Sequence, residues 1–116
     1  TNAGGSGGVA NMYDMKTFTH EDGYTILPTQ VRPRSRGYIS LRAAQPEAAP
    51  LIQPNYLQHE EDRKLMVAAG RKALEVLTAS AFDALRIDNH IPAQHHTDEE
   101  WLRHIEQTAE CVYHPV

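Results

Sequence analysis

The sequence predicts an α+β fold: a small antiparallel sheet with two main helices packed on one face. Three observations point there. The first half carries short runs rich in β-branched and aromatic residues, an apolar stripe at helical spacing runs between His59 and Thr78, and a helix-start signature stands at Thr97. With 116 residues, 41% of them hydrophobic and 22% charged, the chain has ordinary globular composition and a ceiling of one small domain. A nucleotide-binding domain plus a separate substrate domain is excluded within that length.

Residues 1–10 hold four of the seven glycines and read as a linker, tag or loop. Gly5 to Ala10 fits the dinucleotide pattern G-x-G-x-x-G/A, but no strand precedes it and no helical period follows, so the phosphate-cradle reading lacks its context. After the turn signal Asp22-Gly23, Tyr24 to Val31 reads as an edge strand, because Pro28 cannot donate to a ladder. Gly37 to Arg42 alternates, with Ile39 and Leu41 expected on a buried face. Between them Arg32-Pro33-Arg34-Ser35-Arg36 gathers three basic residues; this is either an anion site or, more simply, a solvated connection with its charges fanned outward. Pro46, Pro50 and Pro54 make Ala43 to Asn55 an irregular, extended crossing.

A helix is expected from about His59 to Thr78, with Leu65, Met66, Ala69, Ala73, Val76 and Leu77 as its apolar stripe and Glu60, Glu61 and Asp62 complementing the dipole at its start. Gly70 costs about 1 kcal/mol there against alanine, which implies close approach of another backbone. Ala79 to His96 is poorly patterned, with Phe82 and Leu85 as anchors. Thr97-Asp98-Glu99-Glu100 is a capping box, and the helix after it is expected to bury Leu102, Ile105, Ala109 and Val112. Pro115 forces His114 out of helical geometry just past that helix.

The formal charge, 11 basic against 15 acidic residues, is −4 and gives no general footprint for nucleic acid. Cys111 is the one cysteine, so no intrachain disulfide forms, and the composition suits the reducing cytoplasm. By its place near the second helix Cys111 reads as a small buried hydrophobe. No run approaches the roughly 18 apolar residues of a membrane span. Of the seven histidines, His20, His59, His90, His95, His96 and His104 lie among polar neighbours without the i, i+4 pairing of a helical zinc site, and no metal is expected. His114, fixed between Tyr113 and Pro115, has the setting a general base needs, although local chemistry equally allows a histidine near a frayed end.

Asp22 to Ile26, Arg32 to Leu41, Pro50 to Leu57 with its acidic helix start, and Thr108 to Val116 together resemble the C-terminal, substrate-binding region of glucose-methanol-choline (GMC) oxidoreductases, nearest the choline and alcohol dehydrogenase branch. The resemblance runs over about Asp22 to Val116, which makes residues 1–21 the linker, tag or loop and residues 22–116 a partial substrate-binding domain. It implies a strand opening at the Pro-x-Ser-Arg-Gly segment in a larger antiparallel sheet. It also implies FAD as cofactor of the parent enzyme, held by a separate FAD-binding domain, and a small alcohol as substrate. His114-Pro115-Val116 matches the start of the family's His-Pro-x-Gly-Thr segment, so the resemblance makes His114 the catalytic base and puts Tyr113 on the substrate side. The Gly-Thr continuation and the partner histidine or asparagine are absent from the sequence, and no complete flavin site is expected in this chain alone. Two readings follow: a piece of a larger flavoenzyme that is inactive by itself, or an independent binding or self-association module that forms a homo-oligomer through exposed sheet edges.

Overall fold

A computed structural model of the chain describes residues 24–86 and 97–111. The elements run β1 (Tyr38–Ser40), β2 (Leu51–Gln53), α1 (Glu60–Leu77), a 3₁₀ turn (Ser80–Phe82) and α2 (Asp98–Thr108). The class is α+β. The two strands pair antiparallel with Ile39 opposite Ile52, and the two helices pack against each other.

Both helices begin where the sequence says they should. His59 caps α1, its Nδ1 accepting the Glu61 backbone N–H, and three acidic side chains follow in the first turn. Thr78 closes it, donating its hydroxyl to the Leu74 carbonyl at 2.8 Å. At α2 the capping box forms in both directions: Thr97 Oγ1 accepts from the Glu100 N–H, and Glu100 Oε2 accepts from the Thr97 N–H. Its far end comes sooner than the spacing suggests. The Thr108 hydroxyl bonds back to the His104 carbonyl, Ala109 turns extended, and the helix stops with Ala109 exposed. Val112 lies outside the described residues.

The helix seam is built from Val67, Trp101 and Ile105, with Leu57, Met66, Leu74 and Leu102 packed around them. Of the expected stripe on α1, Leu77 is buried and Met66 packs on the seam, but Leu65 and Val76 are exposed, and Val67 and Leu74, outside the stripe, turn inward. Apolar residues occur on two sides of α1, and spacing alone does not choose between them. Trp101, which the spacing does not single out, is the largest side chain of the seam. Its ring, not another backbone, is what lies against Gly70: a Cβ built there would sit 2.8 Å from Trp101 Cζ3. Arg71 Nη2 meets Asp98 Oδ1 at 2.7 Å across the same crossing.

The first half departs further from expectation. Among the described residues, Tyr24 to Val31 forms no strand; it runs extended and irregular, held by Tyr24 stacking on Phe82 at 4.9 Å and by Gln30 reaching α1. Leu85, the other expected anchor, is exposed. β2 occupies the crossing expected to be irregular, a three-residue strand fitted between Pro50 and Pro54, whose missing N–H groups fall outside the ladder. Ile39 and Leu41 are not buried: Ile39 is 73% exposed, and both strands are open to solvent along their length. The ladder nonetheless packs tightly at Gly37, where a Cβ would fall 2.3 Å from the Gln53 carbonyl oxygen.

Two glycine substitutions separate these constraints. Gly37→Ala meets backbone that cannot turn aside, so it should disrupt the β1–β2 pairing and lower the thermal midpoint more than Gly70→Ala. In Gly70→Ala the alanine helix preference of about 1 kcal/mol opposes the Trp101 clash. Trp101 is the one tryptophan, so its fluorescence should shift in Gly70→Ala and hold in Gly37→Ala. Unchanged emission in Gly70→Ala would contradict the contact.

Candidate functional site

The most constrained polar group among the described residues is Asp62, on the first turn of α1 and only 1% exposed. Its Oδ1 accepts the Arg34 backbone N–H at 2.8 Å and the Gln30 side-chain amide at 2.7 Å; its Oδ2 accepts the Ser35 backbone N–H at 2.7 Å and the Ser35 hydroxyl. Ser35 Oγ in turn accepts the His59 N–H at 3.0 Å, so the arginine-rich loop and the helix start are bound as one piece. Desolvation by burial pushes the Asp62 pKa up, but the donors from Arg34, Ser35 and Gln30 outweigh it and hold the carboxyl well below the usual range. In sequence Asp62 is one of three acids at a helix start; nothing local separates it from Glu60 and Glu61.

This lock decides the fate of Arg34 and Arg36. Arg34 Nε pairs with Glu61 at 2.8 Å on the surface, and Arg36 Nη1 turns back to the Pro33 and Ser35 carbonyls. The segment is the solvated connection rather than a convergent anion site. A shallow groove of about 430 Å³ lies beside it, lined by Gln30, Arg32, Arg34, Glu61, Asp62, Lys64 and Leu65. Its cations face two carboxylates, and Arg34 is already paired. Such a donor set does not fit a dinucleotide pyrophosphate.

Tyr113 and His114 lie outside the described residues, as do His20, His90, His95, His96 and the Gly5 to Ala10 pattern. Of the other histidines, His59 is a helix cap and His104 packs edge-on to Trp101 at 6.3 Å. No group of three or more His, Cys, Asp or Glu side chains that could hold a metal occurs among the described residues, and no helix there is long and apolar enough to cross a membrane. The described chain approaches His114 as far as Cys111. That thiol is exposed, correcting the expectation of a buried hydrophobe, because α2 ends at Thr108 and the following residues leave the seam. A hydrogen bond to Cys111, and then its charge, raises the pKa of the Tyr56 phenol. Tyr56 gave no sequence signal beyond its place in the Pro54-Asn55-Tyr56-Leu57 turn.

The Asp62 lock has a pH signature. Its folded pKa lies below the ordinary 3.8, so its contribution to stability is complete above that value and is lost as pH falls toward the folded pKa. Thermal midpoints measured from about pH 5 down to about pH 2 should fall more steeply for the native chain than for Asp62→Asn, which should already be destabilised at neutral pH. Parallel curves would show that the carboxylate is not the lock.

Comparison with known proteins places these features. The family model of GMC oxidoreductase, C-terminal region, matches residues 33–116. The chain is 34% identical over 114 residues to choline oxidase of Arthrobacter globiformis, covering 90% of this chain and 20% of that protein. It is 38% identical over 100 residues to an alcohol dehydrogenase (acceptor) of Pseudomonas putida, covering 81% and 17%. It is 33% identical over 108 residues to an oxygen-dependent choline dehydrogenase of Brucella ovis, covering 92% and 20%. No solved structure matches the chain. It spans about 20% of the length of these curated relatives, and the family match takes in the arginine-rich loop from Pro33 onward, both strands, both helices and the Tyr113-His114-Pro115 segment. The chain therefore belongs to the GMC oxidoreductase family.

Proposed function

We propose that this chain is the substrate-side portion of an FAD-dependent oxidoreductase acting on a small alcohol, with His114 as its catalytic base and Tyr113 beside it on the substrate wall. The observation that carries this reading is the family match running through residue 116, which includes the His114-Pro115-Val116 start of the family's histidine segment. The names of the relatives, choline oxidase, choline dehydrogenase and alcohol dehydrogenase, support an alcohol as donor. An imidazole held between Tyr113 and Pro115 takes the hydroxyl proton in a fixed direction. The flavin, bound elsewhere in a longer polypeptide, supplies the two-electron acceptor. Residues 22–116 then act as part of the substrate domain, with residues 1–21 as the loop or linker leading into it.

The opposing reading, a self-associating module without redox activity, is favoured by one observation. Tyr38, Ile39 and Ile52 are exposed on a two-stranded ribbon, which is too small to be stable with both faces in water. In the oxidoreductase reading those faces are covered by the rest of the polypeptide.

Two experiments test these readings. In the full-length flavoenzyme carrying this segment, His114→Ala should slow flavin reduction by the alcohol by about 10²-fold or more while FAD stays bound; an unchanged single-turnover rate would remove His114 from the mechanism. The 116-residue chain, purified alone, should show no flavin absorbance and no alcohol-dependent dye reduction. Stoichiometric FAD in that preparation would overturn the division of labour, and a discrete homo-oligomer without flavin in any longer form would favour the self-association reading.

A further inference from the structure

The two edges of the β1–β2 ribbon are not equivalent, and proline makes the difference. In an antiparallel pair, opposed residues alternate between those that bond to each other and those whose N–H and C=O point away. If Ile39 and Ile52 bonded to each other, the rung at Tyr38 and Gln53 would rest on a bond from residue 54 to the Gly37 carbonyl, and Pro54 has no N–H to give. The bonded pairs are therefore Tyr38–Gln53 and Ser40–Leu51. Two neighbours agree: the Arg36 carbonyl accepts from Asn55 Nδ2 at 3.0 Å on the β2 side, and the Gln53 carbonyl lies close against Gly37. Gly37, Ile39 and Leu41 then turn their backbone groups outward on β1, as Pro50, Ile52 and Pro54 do on β2.

The outer edge of β2 thus offers a single donor between two prolines, a device that closes an edge to further pairing. The outer edge of β1 offers the N–H groups of Gly37, Ile39 and Leu41, and among the described residues no hydrogen bond reaches them. Ile39 and Leu41 also share a face with Ile52, and the three are 73%, 87% and 60% exposed. Free donors beside an uncovered apolar face are what an added strand pairs with. The charge is one-sided. Arg36 and Arg42 bracket the edge, and Arg42 has no ion-pair partner among the described residues. A second copy of β1 fits poorly, because the antiparallel register that uses all three donors sets Ile39 opposite Ile39 and, at both ends, Arg36 of one copy opposite Arg42 of the other.

We propose that the outer edge of β1 receives a strand from the remainder of a longer polypeptide, apolar where it flanks Ile39 and acidic where it meets Arg42. The occupant is placed in the same polypeptide because the family match contains both strands while the chain spans only about 20% of its relatives' length. This rests on the reading of the chain as one portion of a larger flavoenzyme. It adds which edge is covered, by what chemistry, and that β2 stays open.

The test is amide hydrogen exchange, resolved to single residues, in the full-length flavoenzyme and in the 116-residue chain. Ile39 and Leu41 should exchange at least about tenfold more slowly in the flavoenzyme than in the chain alone, and Ile52 should be fast in both. Leu41→Pro removes an outward donor without touching the β1–β2 ladder, and in the flavoenzyme it should return most of the lost exchange at Ile39; Leu41→Ala, which keeps the N–H, should not. Arg42→Glu should speed Ile39 exchange more at low salt than at high salt. The Arg34 and Ser35 amides, held by Asp62, should stay unchanged in all three variants and so report an intact fold. Equal exchange of Ile39 in the two proteins, protection of Ile52 instead, or Leu41→Ala acting as strongly as Leu41→Pro would overturn the inference. So would protection of Ile39 that rises with concentration in the 116-residue chain, which would make the occupant a second copy. Flavin reduction by the alcohol, measured on the same flavoenzyme, separates the layers: fast Ile39 exchange in an active enzyme overturns the strand alone, and protected Ile39 without alcohol-dependent reduction overturns the oxidoreductase reading alone.

Discussion

One buried carboxylate organises the described structure. Asp62 receives four hydrogen bonds from residues 27 to 32 positions earlier in the chain, and these bonds join a loop without regular structure to the first turn of α1. The arrangement follows from a shortage and a surplus. The segment around Arg34 and Ser35 has backbone donors that pair with no strand among the described residues, and a helix start carries positive dipole that favours an anion. A carboxylate at that position answers both. Because a buried charge is costly unless fully bonded, the loop has little freedom to adopt another shape without stranding it. The directions of Arg34 and Arg36, the seating of His59 as a cap and the start of β1 at Tyr38 all follow from that single fixed point.

The second constraint is the seam between α1 and α2, and here the helices divide the work. Gly70 supplies a flat place and Trp101 fills it, so the crossing is set by one ring against one missing side chain. Leu57 reaches into the same seam from the turn after β2. The hairpin, the loop and the helix pair are thus linked in a chain of contacts, although the hairpin itself contributes no buried face.

Signals in the sequence are legible where the physics is local. The bounds of α1 and the capping box of α2 depend on residues within one helical turn of each other, and both helix starts are where Glu60–Asp62 and Thr97–Glu100 place them. Signals that depend on distant partners were not legible. β2 lies between two prolines in a stretch that looks irregular until Ile39 is placed opposite Ile52. Tyr24 to Val31 has strand-like composition but, among the described residues, no strand beside it to pair with. The choice between Leu65 and Val67 as the inward position on α1 belongs to Trp101, some 35 residues away. The histidine segment is marked only by its resemblance to a family, and it lies outside the described residues. Asp62 and Tyr56 carry no local mark at all, since an acid at a helix start and an aromatic after proline are both commonplace.

The Asp62 bonds also decide which backbone protons are shielded. The amides of Arg34 and Ser35 belong to a loop, and loop amides commonly exchange with solvent by small local fluctuations. These two point into a buried carboxylate, so releasing them requires prising the loop from the first turn of α1 and exposing an ion that water had not reached. Deuterium should therefore enter them on the slow timescale of helix opening, with the neighbouring Arg36 amide exchanging faster. In kinetic terms this short stretch of irregular chain belongs to the helix.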